Sequence, residues 1–114
     1  MNLKLGSTLY LILMSALVTD GAIAQPGRVG DIRAKFANDY NAGKFWDVIA
    51  DAAALQKLNA MDAETARVTA QAYYKAGDYS GCVKYIRKNE NFKPSVNPKM
   101  ADVGTILLKR CQKA

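Results

Sequence analysis

Histidine is absent from the 114-residue chain, which removes the commonest general base and the commonest metal ligand. Cysteine is scarce. Cys82 and Cys111 are too few and too far apart for a zinc or haem-attachment motif, and no C-x-x-C redox pattern occurs. Paired-carboxylate motifs and a nucleophile beside a base are missing too; Ser80 and Ser95 stand in turn or loop contexts. No residue set is left to carry catalysis. The expected class is therefore non-catalytic, with no cofactor, metal or small-molecule substrate. Alternating strand patterns are also lacking, and the apolar residues recur at helical spacing. The expected fold class is all-α, and the length suits one domain.

The apolar run over residues 9–18 is about half of the roughly 20 residues that span a bilayer. It follows a short segment carrying Lys4 and precedes the polar Thr19-Asp20-Gly21 and then Ala22-Ile23-Ala24. That layout is a secretory signal peptide with an A-x-A-like site, which predicts cleavage between Ala24 and Gln25. No cysteine lies near the cut, so lipid attachment there is not indicated. Its style is that of a bacterial periplasmic protein. Residues 25–28 then form a loose N-terminus.

Five helices are expected in the remainder. The first, over 29–41, places Ile32, Phe36 and Tyr40 on one face; the second, over 45–58, turns Val48, Ile49, Ala52 and Leu55 inward. Asp62 is placed to cap an alanine-rich third helix that reaches Ala76. Gly77 suits the positive-φ close of that helix, and Asp78 then caps a fourth, over 79–89, burying Cys82, Val83 and Ile86. Residues 91–98 form a loop broken by Pro94 and Pro98. The fifth helix, over 99–112, carries Met100, Val103, Leu107 and Leu108.

The stretch over 70–87, AQAYYKAGDYSGCVKYIR, has an earlier counterpart in DYNAGKFWDV over 39–48. Gly43 lies 34 residues before Gly77, and the same offset pairs Tyr40 with Tyr74, Ala42 with Ala76, Phe45 with Tyr79, Ile49 with Val83 and Arg33 with Arg67. A helix–turn–helix unit of that period resembles the tetratricopeptide repeat family. The resemblance is strongest over 73–79, followed by Cys82 at the small-residue position and Pro94 near the unit's end. It is weaker in the first unit, which has Asp39 where an aromatic is usual and Ala60 where a proline is usual. It implies an α-solenoid with repeats at 29–62 and 63–96 and a capping half-repeat at 97–114.

In that family the first helix of each unit lines a concave groove for peptides or extended protein segments. Carried onto this chain, the groove takes Arg33, Tyr40 and Asn41 from the first unit. Glu64, Arg67, Gln71, Tyr74 and Lys75 come from the second, and Thr105, Leu108 and Lys109 from the closing helix. The arginine forks suit carboxylates and the tyrosines offer large faces with polar tips, so the implied partner is an acidic or C-terminal peptide. The alternative is that Tyr40 and Tyr74 pack between helices while the arginines pair with Asp62 or Glu64. Ala37 stands where chaperone-binding members carry a clamp asparagine, so that particular clamp is not expected.

Antiparallel neighbours bring the start of the fourth helix beside the end of the fifth. A disulfide between Cys82 and Cys111 is then favoured in an oxidising compartment. Closing 29 residues is worth about 3–4 kcal/mol by chain entropy. Two buried free thiols or a redox pair are the competing arrangements.

The net charge of +6 is uneven: residues 25–74 hold six basic and six acidic side chains, residues 75–114 nine against three. Solvation alone accounts for such a surface. Lys84, Arg87, Lys88, Lys93, Lys99, Lys109, Arg110 and Lys113 also admit anionic lipid or polymer as a partner, with nucleic acid disfavoured. The leading functional expectation is a protein-binding module of the cell envelope. A structural subunit docked on a larger envelope complex and a basic-surface binder are the alternatives.

Overall fold

A computed structural model describes residues 26–114 of the chain. The expected leader, its cleavage point and Gln25 lie outside the described residues. Among the described residues all regular structure is helical: α1 (Pro26–Asn41), α2 (Phe45–Lys57), α3 (Ala63–Lys75), α4 (Tyr79–Lys88), a 3₁₀ turn (Glu90–Phe92) and α5 (Pro98–Lys113). No helix among them is long and apolar enough to cross a membrane.

The helix boundaries follow local chemistry. Asp62, Asp78 and Asn97 accept backbone N–H bonds from Thr65, Gly81 and Met100, at 2.8, 2.8 and 3.2 Å. Each satisfies a donor that a helix start leaves orphaned. Two boundaries differ from expectation. Pro26 to Arg28 belong to α1 rather than to a loose terminus, and Pro98 opens α5 rather than breaking it. Proline has no N–H to lose in the first turn, and its fixed φ suits that position.

Gly43 and Gly77 close α1 and α3 at φ +75° and +82°, a region that a Cβ disfavours. Their turns share one hydrogen-bond pattern. The Gly43 N–H donates to Tyr40 O and Lys44 N–H to Asp39 O; the Gly77 N–H donates to Tyr74 O and Asp78 N–H to Tyr73 O. Both bonds of the first turn thus recur in the second at the 34-residue offset. So does an aromatic contact across each turn, Tyr40–Phe45 at 5.6 Å and Tyr74–Tyr79 at 5.5 Å between centroids.

Each helix packs on the next, and α3 also packs on α5. The alanines of α3 divide the interior. Ala66 and Ala70 join Cys82, Ile86, Phe92, Met100, Leu107 and Cys111, while Ala72 joins Phe36, Val48 and Ala52. All three alanines are fully buried, so small side chains let α3 sit tightly between its neighbours. Cys82 and Cys111 form a disulfide with Cα atoms 6.2 Å apart, tying α4 to α5. Phe92, expected in a loop, is a core residue: the 3₁₀ turn directs it onto Gly104 of α5, where a Cβ would meet its ring at 2.8 Å.

Candidate functional site

One face of α3 reaches both flanking helices. Arg67, Gln71 and Tyr74 recur at i, i+4 and i+7, a single stripe of an α-helix. Gln71 Oε1 accepts a bond from the Tyr40 hydroxyl of α1 at 3.2 Å. One turn further along, the Arg110 guanidinium of α5 lies 5.9 Å from the Tyr74 ring centroid, within cation–π range.

At the α1 end a cavity of about 330 Å³ opens between α1 and α3. Arg33, Phe36, Tyr40 and Asn41 line one side, and Asp62, Glu64, Thr65 and Val68 the other. Its floor is mostly apolar, but its charges are already matched. Arg33 donates to Asp62 at 2.9 Å, to Thr65 Oγ1 at 3.2 Å and to the Ala60 carbonyl. Arg67 donates to Glu64 through Nε at 3.0 Å and through Nη2.

Burial would raise the Asp62 carboxyl, but hydrogen bonds from Thr65 and the Arg33 charge hold it below the usual carboxylate range. The Arg67 hydrogen bonds likewise lower Glu64, and Glu64 raises Arg67. Of the two arrangements the sequence leaves open for the arginines, internal pairing is the one present: both forks are engaged by carboxylates of the protein itself.

The other expected residues divide. Arg33, Tyr40 and Asn41 meet at the cavity, with Gln71 bonded to Tyr40 beside it. Tyr74 lies at the α5 end, against Tyr79 and Arg110. Lys75 turns away to the first hairpin, its Nζ 5.9 Å from the Phe45 ring centroid. The Thr105 hydroxyl is engaged with the Ala101 carbonyl at 3.0 Å, and Leu108 packs on the core. Lys109 is exposed and lies opposite the buried side of α5, and it is Arg110 that stands beside Tyr74. One residue is 100° on a helix. The signal that separates the two is the phase set by Met100, Leu107 and Cys111.

A larger hollow of about 820 Å³ lies between the end of α2 and α4, where Gln56, Asn59, Met61, Tyr73, Lys84, Tyr85 and Lys88 are among its walls. Much of its polar lining is engaged internally: Asp78 caps α4 and the Asn89 amide donates to the Tyr85 hydroxyl at 3.1 Å. Sequence reasoning missed it, because its walls are polar residues of the kind that also covers plain surface. Among the described residues no three His, Cys, Asp or Glu side chains group as metal ligands.

The fold and site define an all-α chain of paired helices in which one face of α3 meets Tyr40 of α1 and Arg110 of α5. Compared with protein-family models, curated proteins and solved structures, the chain matches none of them.

Proposed function

We propose that the chain is an exported, non-catalytic binding module: a tetratricopeptide-like array of two and a half helical hairpins that grips an acidic protein segment on the face of α1, α3 and α5. The observation that carries the reading is the α3 stripe, where Gln71 meets Tyr40 of α1 and Tyr74 meets Arg110 of α5. Such a row of first helices is what a concave groove requires. The 34-residue recurrence of turn bonds and aromatic contacts supports the array. The Cys82–Cys111 bond supports an oxidising compartment and hence export.

Within that face the charge available to a ligand is Arg110, since Glu64 and Asp62 engage Arg67 and Arg33. A segment carrying Asp, Glu or a terminal carboxylate seats its acid on Arg110 and its adjoining backbone or apolar group on Tyr74 and Tyr40.

Selection of a random peptide library on the purified protein tests this. Acidic peptides are expected to be enriched, and their affinity to fall about tenfold or more in Arg110→Glu, as for loss of a charged hydrogen-bond partner. Arg67→Ala is expected to have little effect. No enrichment, or equal binding by Arg110→Glu, overturns the proposal.

A further inference from the structure

One face of α2 is bare of charge along most of its length where its counterpart in the second hairpin is not. Trp46 is the only tryptophan of the chain and is 60% exposed. At 100° per residue, Trp46, Ala50, Ala53 and Lys57 fall within about 60° of one another, opposite the buried Val48, Asp51, Ala52 and Leu55. Ala50, Ala53 and Lys57 are exposed as well. The places of Trp46, Ala50 and Ala53 are held 34 residues later, on α4, by Ser80, Lys84 and Arg87, which are also exposed. The same position in the repeat carries a solvated surface in one hairpin, and a large aromatic beside small residues in the other.

Alanine is common on exposed helix faces, and a single exposed apolar side chain is ordinary. On α2 a bulky side chain and the low ground able to receive it share one helix of 13 residues. Small residues let two helix axes approach closely, and Trp46 fills the step beside them. The ends of the helix are of opposite sign: Asp47 stands in its first turn and Lys57 in its last. Neither enters an ion pair with a described residue.

A second α2 laid antiparallel on the first brings each Asp47 towards the other's Lys57 and opposes the two helix dipoles. It also sets each Trp46 over the other's alanines. A parallel copy would oppose like charges instead. A polyanion or an anionic bilayer would meet a single lysine on this face, with an aspartate at its far end.

We infer that this face of α2 is a homodimer interface, on which a second copy of the chain packs its own α2 antiparallel about a two-fold axis. The contact is isologous, so one patch supplies both halves. Trp46 is its anchor, as buried aromatic side chains commonly are, and the two Asp47–Lys57 pairs set its orientation. The helix is about 20 Å long, which makes the interface small, and its dissociation constant is expected in the micromolar range. The residues used are separate from Tyr40, Gln71, Tyr74 and Arg110 of the peptide face.

Sedimentation velocity of the purified, disulfide-bonded protein over a concentration series, read beside its tryptophan emission, tests this. A monomer–dimer equilibrium is expected, with the Trp46 emission moving to shorter wavelength as the dimer forms. Trp46→Ala is expected to weaken the dimer about 30-fold or more, and Ala53→Glu, on the same stripe, to abolish it. Asp47→Lys and Lys57→Asp are each expected to weaken it about fivefold, since each places like charges together twice. The double swap, Asp47→Lys/Lys57→Asp, is expected to restore it. Circular dichroism verifies that each variant is folded.

Arg110→Glu, which disables the peptide face, is expected to leave the dimer intact, so the two proposals fail separately. A monomer at every concentration overturns the inference. So does a dimer whose tryptophan emission stays at its solvent-exposed wavelength, a dimer that survives Ala53→Glu, or a double swap that restores nothing.

Discussion

In the second hairpin Tyr73 and Tyr85 bring their ring centroids to 5.5 Å. The places 34 residues earlier, in the first hairpin, are held by Asp39 and Asp51, both clamped by Lys35 at 2.7 and 3.2 Å. The turns that flank these pairs have the same hydrogen bonds and the same aromatic contact. One helix–turn–helix geometry therefore accepts either an aromatic or an ionic filling between its helices. What stays constant is the glycine turn and its aromatic contact. The ionic filling is the poorer of the two: Asp51 Oδ2 is buried without a hydrogen-bond partner, a costly arrangement for a carboxylate. The second hairpin is further secured by the disulfide, whereas the first has none.

The largest break in that comparison is expected from Cys82→Ser/Cys111→Ser. Loss of the cross-link costs about 3–4 kcal/mol in the chain-entropy account. Amide exchange is expected to accelerate first in α4 and α5, with α1 and α2 following only on global unfolding.

Gly43→Ala and Gly77→Ala come next, at about 1–2 kcal/mol each for a Cβ in the left-handed region. Equal penalties in urea unfolding would support matched turns. A loss at Gly77 alone would break the equivalence.

Asp39→Tyr/Asp51→Tyr installs the second hairpin's filling in the first. Replacing a buried ionic group by packed rings is commonly neutral or stabilising, so the melting temperature is expected to hold or rise. A marked fall would mean that the ionic triad specifies the first hairpin.

The smallest effect is a titration. Hydrogen bonding to Lys35 lowers Asp39, so its contribution to stability is present above its unfolded pKa and is lost as pH falls through the lowered folded value. Burial raises Asp51, so its contribution is present below the unfolded pKa and is lost as pH rises through the raised folded value. Burial also raises Tyr73 and Tyr85, whose contribution is lost only in strong alkali. Carbon-detected NMR is expected to show the aspartate pair titrating on both sides of the ordinary value, while the tyrosine pair stays silent from acid to neutral pH.

Much of the scaffold was legible because its signals are local. Gly43 and Gly77 mark turns by φ alone, Asp62 and Asp78 cap three residues ahead, and the cysteines follow from antiparallel neighbours. The sequence left the arginines open between ligand and internal pairing. Glu64–Arg67 is a weak i, i+3 preference, and Arg33–Asp62 joins residues far apart in the chain, so packing decides both. Phe92 was hidden by the prolines around it, since burial there depends on the gap that Gly104 leaves across the fold. Arg110 was hidden by the helical phase, which one residue's shift turns by about 100°. Asp39 and Asp51 stand where the second hairpin carries Tyr73 and Tyr85, and nothing local in the sequence marks their burial beside Lys35.

Chemical-shift mapping of an acidic peptide titrated into the isotope-labelled protein tests the central claim most directly. The account predicts perturbed amides along α1, α3 and α5, strongest around Tyr74 and Arg110, with α2 and the middle of α4 unaffected. Perturbations concentrated on α2 and α4, around the larger hollow, would contradict it.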